Sequence, residues 1–120
     1  MPNILIVDDS STMRKIISRS LRQAGLTVDE IYEAADGIEG LNALKGSTVH
    51  LILSDINMPN MDGMEFIKQV RAAGNSVPIV MITTEGGEDV LKEAVRNGAN
   101  DSIKKPFTPE QLKEKLGGML

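Results

Sequence analysis

The feature that most constrains the fold is a rhythm of short apolar runs, each ending abruptly and each followed by a stretch of helical spacing. Ile4-Leu5-Ile6-Val7 is apolar at every position and stops at Asp8-Asp9. A run without alternation suits a strand covered on both faces. Met13, Ile16, Ile17, Leu21 and Ala24 then recur on one helical face, and Gly25 stands where a helix C′ residue belongs. The pattern repeats. Val28–Tyr32 predicts a second strand, and Ile38, Leu41 and Leu44 a short helix; Leu51-Ile52-Leu53 predicts a third strand, and Phe66, Ile67 and Val70 its helix. Pro78–Ile82 predicts a fourth strand, with Val90, Leu91, Ala94 and Val95 on the helix that ends near Gly98. Ser102-Ile103 is a short fifth strand, and Thr108-Pro109-Glu110-Gln111 opens a last helix with an N-cap, a proline at N1 and a capping-box Gln. Gly117-Gly118 predicts that this helix is short.

Five strand–helix units in series imply an α/β fold: a doubly wound parallel sheet with right-handed crossovers and helices on both faces. At 120 residues the chain is expected to form one domain, residues 1–120. Composition removes several function classes. With no cysteine and only one histidine, His50, neither disulfides nor a thiolate or His-rich zinc site is available. The net charge of −4, with both signs dispersed, argues against nucleic acid as the main partner. No apolar run approaches the ~20 residues that cross a bilayer. The start Met1-Pro2-Asn3 has no signal-peptide character, so a cytoplasmic protein without membrane insertion is expected. The methionines read mostly as core fillers, and His50 as a structural or surface residue.

Chemistry in a doubly wound sheet belongs at the carboxyl ends of the strands, near the switch point. Those ends carry one polar set here: Asp8-Asp9 after the first strand, Asp55 after the third, Thr83-Thr84 after the fourth and Lys104-Lys105 after the fifth. Each has a structural explanation on its own. Asp8-Asp9 suit a helix N-terminus, Asp55 can cap a turn, the threonines are ordinary strand residues and Lys105 can be a solvated charge. Together on one rim they are harder to explain structurally. Strands lie about 4.8 Å apart, so carboxylates from the first and third can reach one ion. Mutually repelling carboxylates call for a hard divalent cation, and Mg²⁺ takes oxygen ligands together with a phosphate. Lys105 and a hydroxyl would meet the phosphoryl oxygens, and an Asp can be the covalent acceptor.

Three segments carry a family resemblance: Leu5-Ile6-Val7-Asp8-Asp9-Ser10, Ser54-Asp55-Ile56-Asn57-Met58-Pro59-Asn60-Met61-Asp62-Gly63, and Lys105-Pro106-Phe107. They resemble the receiver domains of two-component response regulators. Ser11-Thr12-Met13-Arg14 and the Asp55-to-Gly63 segment are similar to the CheY-like, chemotaxis-type branch that stands alone. The resemblance covers essentially the whole chain. It implies a flavodoxin-like (βα)5 sheet of order 2-1-3-4-5 and a phosphorylation-dependent switch that is not an enzyme beyond its own phosphorylation and slow dephosphorylation. On that resemblance Asp55 is the phosphoacceptor. Asp8, Asp9, the Asp55 carboxylate and the Asn57 backbone carbonyl hold Mg²⁺. Thr83 and Lys105 bind the phosphoryl group, Asn57 and Glu85 tune its loss, and the bond before Pro106 is cis. The implied partners are a histidine kinase and a downstream protein, the flagellar motor switch among the candidates, met by a monomer through its fourth helix, fifth strand and fifth helix. Ser102 departs from the pattern, because the family places an aromatic ring there whose rotation accompanies activation. Gly86-Gly87 would give the loop after the fourth strand its freedom.

Other readings use the same residues. A stand-alone receiver in a phosphorelay fits the motifs as well. An Asp-nucleophile phosphatase of the haloacid dehalogenase type would place Asp-x-Asp after the first strand, where this chain has adjacent aspartates and too little length for a cap domain. A flavodoxin-like FMN carrier would need a hydroxyl-rich phosphate loop and aromatics. The chain instead has an acidic rim, no Trp, one Tyr and two Phe.

Overall fold

A computed structural model describes residues 2–84 and 87–119. Strands and helices alternate along the chain: β1 (Ile4–Val7), α1 (Ser11–Gln23), β2 (Ile31–Ala34), α2 (Gly37–Gly46), β3 (Leu51–Ser54), α3 (Gly63–Ala72), β4 (Ile79–Thr83), α4 (Glu88–Asn97), β5 (Asp101–Lys104) and α5 (Pro109–Leu116). The strands form one parallel sheet in the order β2-β1-β3-β4-β5.

The apolar runs are continuous because each strand feeds two cores. Leu5, Val7, Ile52, Ile79 and Met81 point to the side covered by α2 and α3, around the fully buried Phe66. Their neighbours Ile4, Ile6, Leu51, Leu53, Val80 and Ile82 point to the other side, against Ile17 and Leu21 of α1 and Leu112 and Leu116 of α5. Strand side chains alternate between faces, so a strand sandwiched between helix layers must be apolar throughout. Met58 and Met61 pack against the α2–α3 side.

Caps delimit the helices where the sequence put them. Thr108 closes a capping box with Gln111, Pro109 occupies the first turn, and α5 stops at Leu116 ahead of the paired glycines. Gly25 takes φ 75, the left-handed backbone expected after α1. The second strand differs from expectation, running over Ile31–Ala34 rather than Val28–Tyr32. Its ladder opens at Ile4↔Ile31, because β1 offers no earlier partner. Asp29 instead donates its N–H to the Pro2 carbonyl, and Val28 serves as an apolar contact on the α1–α5 side. Of the Gly86-Gly87 pair, Gly86 lies outside the described residues, and Gly87 is the N-cap of α4 with an ordinary φ of −65. His50 is exposed, its Nδ1 accepting the Asn3 N–H at 2.9 Å, at the strand starts.

Candidate functional site at the carboxyl rim

The chain leaves β1 toward β2 on one side and then crosses to β3 on the other, so a crevice opens between the ends of β1 and β3. Register fixes what lines it. Val7 lies opposite Ser54. Asp8 and Asp55 therefore follow side by side, with the Asp55 N–H donating to the Val7 carbonyl at 2.9 Å. On its far side Asp8 donates its N–H to the Ala34 carbonyl of β2 at 3.0 Å. Thr83 pairs with Lys104, and the Lys105 N–H bonds to the Thr83 carbonyl at 2.9 Å, which carries Lys105 onto the same rim.

Asp8, Asp9 and Asp55 each present a carboxylate oxygen within 4.8 Å of the others, and this is the acidic group of that kind found among the described residues. Asp8 is buried at 2 % exposure, Asp55 is half-buried and Asp9 faces solvent. Lys105 reaches between two of them, with Nζ 2.8 Å from Asp8 Oδ2 and 3.0 Å from Asp55 Oδ2. Burial alone would push the Lys105 ammonium down, but hydrogen bonds to Asp8 and Asp55 and their charges outweigh it, so its pKa stands above the ordinary lysine value. The other carboxylate oxygens are fixed by backbone: Asp8 Oδ1 accepts from Ser10 N–H at 2.9 Å and Asp55 Oδ1 from Ile56 N–H at 2.7 Å.

Thr83, 1 % exposed, ends β4 on this rim, and Thr84 beyond it is exposed. Asn57 lies in the loop after Asp55, and the Lys105–Pro106 peptide is cis. Ser102 is half-buried in β5 opposite Met81. It borders a cleft of about 380 Å³ between β5 and α5. Glu85 lies outside the described residues. The donor set suits a hard cation: it is all oxygen, carries excess negative charge, and gathers three carboxylates within 4.8 Å of one another.

Two features of the rim escaped the sequence pattern. Arg14, one turn into α1, donates from Nη1 to the Asp8 carbonyl at 2.6 Å and from Nε to Glu33 at 2.9 Å, bracing β1 against β2 beneath the acids. Arg14 belongs to a run that carries the family resemblance, but nothing in that run announces its bonds to Asp8 and Glu33. Asp36 and Asn60, discussed below, join elements whose meeting no local spacing announces.

This is a flavodoxin-like doubly wound domain whose polar residues converge at the switch-point crevice. Residues 4–117 match the response regulator receiver domain, and the chain belongs to that family. It is 46 % identical over 120 residues to a chemotaxis protein CheY homolog of Campylobacter jejuni, covering 98 % of this chain and 91 % of that protein. It is 44 % identical over 116 residues to chemotaxis protein CheY1 of Helicobacter pylori, covering 94 % and 92 %. Its backbone superimposes on the chemotaxis protein CheY4 of Vibrio cholerae with a TM-score of 0.88 at 39 % identity, over 100 % of this chain and 99 % of that one. It is thus a CheY-type receiver, a signalling switch rather than a classical enzyme. Among the described residues, no helix is long and apolar enough to cross a membrane.

Proposed function

We propose that Asp55 accepts a phosphoryl group from a phosphohistidine on a partner kinase, and that the resulting acyl phosphate switches a protein-binding surface in a chemotaxis pathway. The observation that carries this reading is the crevice itself: three carboxylates and a lysine ammonium converge where β1 and β3 end side by side. Asp55 Oδ2 attacks phosphorus in line. The O–P bond forms as the N–P bond to the histidine breaks, and the electron pair returns to the imidazole nitrogen. Asp8, Asp9, Asp55 and the Asn57 carbonyl would hold Mg²⁺, which offsets charge on the phosphoryl oxygens.

Lys105 sits within hydrogen-bond reach of the reacting carboxylate, and its raised pKa keeps it cationic throughout the physiological range. It gives up its bond to Asp55 and takes a phosphoryl oxygen, a charge-assisted exchange that loses little. Thr83 supplies a hydroxyl to a second oxygen. Because the Thr83 carbonyl also accepts the Lys105 N–H, a pull on Thr83 reaches the end of β5 directly. The switched surface is α4, β5 and α5, read by a protein partner, with the flagellar motor switch the candidate suggested by the chemotaxis relatives. Ser102 offers no ring to rotate, so the Thr83 arm carries the change. Asn57 and Glu85 tune how quickly the phosphoryl group is lost. The reading places residues 1–120 as one monomeric receiver in the cytoplasm.

Beryllofluoride, which mimics the acyl phosphate, tests this without a kinase. Fluorine NMR with Mg²⁺ should show a bound signal for the wild-type chain that disappears when Asp55 is changed to Asn or the metal is chelated. A bound signal that survives Asp55→Asn would assign the chemistry to another residue.

A further inference from the structure

The loop from β3 to α3, residues 55–62, carries both Asp55 and the Asn57 carbonyl, and a shared cation needs both at a fixed distance from Asp8. Asn60 ties this loop to the start of α2. It adopts φ 66, a left-handed backbone that costs a non-glycine residue energy. Its side-chain amide donates to Asp36 Oδ2 at 2.8 Å. One residue on, the Met61 carbonyl accepts the Gly37 N–H at 3.1 Å. Both bonds run to the start of α2, in a different strand–helix unit. The approach is close enough that a Cβ on Gly37 would stand 2.6 Å from Met61 Cγ.

Asp36 is 6 % exposed and divides its carboxylate between two tasks. Oδ1 caps α2 through the Glu39 N–H at 2.9 Å, while Oδ2 holds Asn60. Two residues earlier, the Ala34 carbonyl receives the Asp8 N–H. A short bonded path therefore runs from Asp8 through Ala34 and Asp36 to Asn60 and the loop that bears Asn57. It joins Asp8 to the loop that bears Asp55 and Asn57 by a route that needs no ion.

We propose that Asp36 and Asn60 are positioning residues for the divalent cation, setting the spacing between Asp8 and the β3–α3 loop so that little ordering is needed on binding. This rests on the Mg²⁺ site proposed above. Mg²⁺ demands near-octahedral geometry, and outer groups that orient its ligands govern affinity. Neither residue is among the donors assigned above to the ion or the phosphoryl group.

Two variants separate the tether from the folds it joins. Asn60→Gly keeps the left-handed backbone and removes the amide; Asp36→Ser keeps an N-cap and cannot hold Asn60. Mg²⁺ titration by calorimetry on the full chain should show each binding about tenfold more weakly than wild type, with cooperative melting retained in EDTA. The double variant should be no weaker than either single, since both cut one link. Wild-type affinity in both singles, or losses that add in the double, would overturn the tether. Asp9→Asn serves as the control. If wild type binds Mg²⁺ and Asp9→Asn does not, equal binding by the tether variants refutes the tether alone. If wild type itself gives no binding heat, the metal reading falls and takes the tether with it.

Discussion

Lys105 shows how much one side chain is asked to do at this rim. Its ammonium lies between Asp8 and Asp55, and its side chain and those carboxylates are largely buried. Removing one member of a buried ion pair leaves an uncompensated charge and costs about 3–5 kcal/mol. Lys105→Ala is therefore expected to lose about 3 kcal/mol in EDTA, measured by urea unfolding followed by circular dichroism. If the cation binds where proposed, Mg²⁺ should restore more stability to the variant than to wild type, because the lysine no longer occupies the oxygens assigned to it. Equal restoration would mean that ammonium and cation do not compete. At the opposite sign, Asp36 is held below the ordinary aspartate value of 3.8, chiefly by the Glu39 N–H and then by the Asn60 amide, against an opposing effect of burial. A depressed carboxylate stabilises the fold above its unfolded pKa and loses that contribution as pH falls through its folded one. The melting-temperature gap between wild type and Asp36→Ser should accordingly hold from neutral pH to about pH 5 and close progressively at lower pH. A gap that widens on acidification would contradict the assignment. Arg71 belongs to the same scale and was silent in the sequence. Its guanidinium donates to the carbonyls of Asn75, Val77 and Gly98, stapling the end of α3 to the turn after α4. Burial pulls its pKa down.

Among the elements, the sequence was most legible where one local rule decides the outcome. β1, β3 and β4 are apolar at nearly every position because two helix layers cover them, and α5 announces its start through Thr108, Pro109 and Gln111. β2 starts three residues and ends two residues later than the apolar pattern predicts, because an edge strand's limits are set by the neighbour that pairs with it, and Val28 is apolar for packing instead. At the site, Asp8, Asp9, Asp55, Thr83 and Lys105 were legible as strand-end polar residues, since topology alone puts such ends together. Arg14, Asp36 and Asn60 were not, because their meaning lies in contacts across different strand–helix units. Gly63 was not legible either, although its backbone contacts lie within one strand–helix unit. It opens α3 with its N–H on the Ile56 carbonyl, and a Cβ there would overlap the Asp55 carbonyl and press on Ile56 Cα. Gly63→Ala should destabilise the fold by about 2 kcal/mol or more through forced backbone displacement, and beryllofluoride binding should weaken with it. A neutral effect on chemical denaturation would show that α3 has room to retreat from Asp55.

For the whole molecule, the parallel sheet makes the two ends of the protein unlike. The strand starts, with His50 and Asn3, are knitted by backbone and side-chain hydrogen bonds. The strand ends concentrate charge, and charge at a topological switch point is where a phosphoryl group can be received and its arrival felt by β4 and β5. Such a switch needs two states of similar energy and a ligand that favours one of them. In the proposed mechanism the rim would supply the means, with phosphorylation of Asp55 displacing Lys105 and giving Thr83 a phosphoryl oxygen to bind. The central claim is that Asp55 is the acceptor and that a divalent cation is required. Intact-mass measurement after incubation with acetyl phosphate tests it most directly, on wild type and Asp55→Asn, with Mg²⁺ and with EDTA. A single phosphoryl adduct that is stable in acid and labile in base, formed only by wild type with Mg²⁺, is the expected result. An adduct on Asp55→Asn, or one formed equally in EDTA, would contradict it.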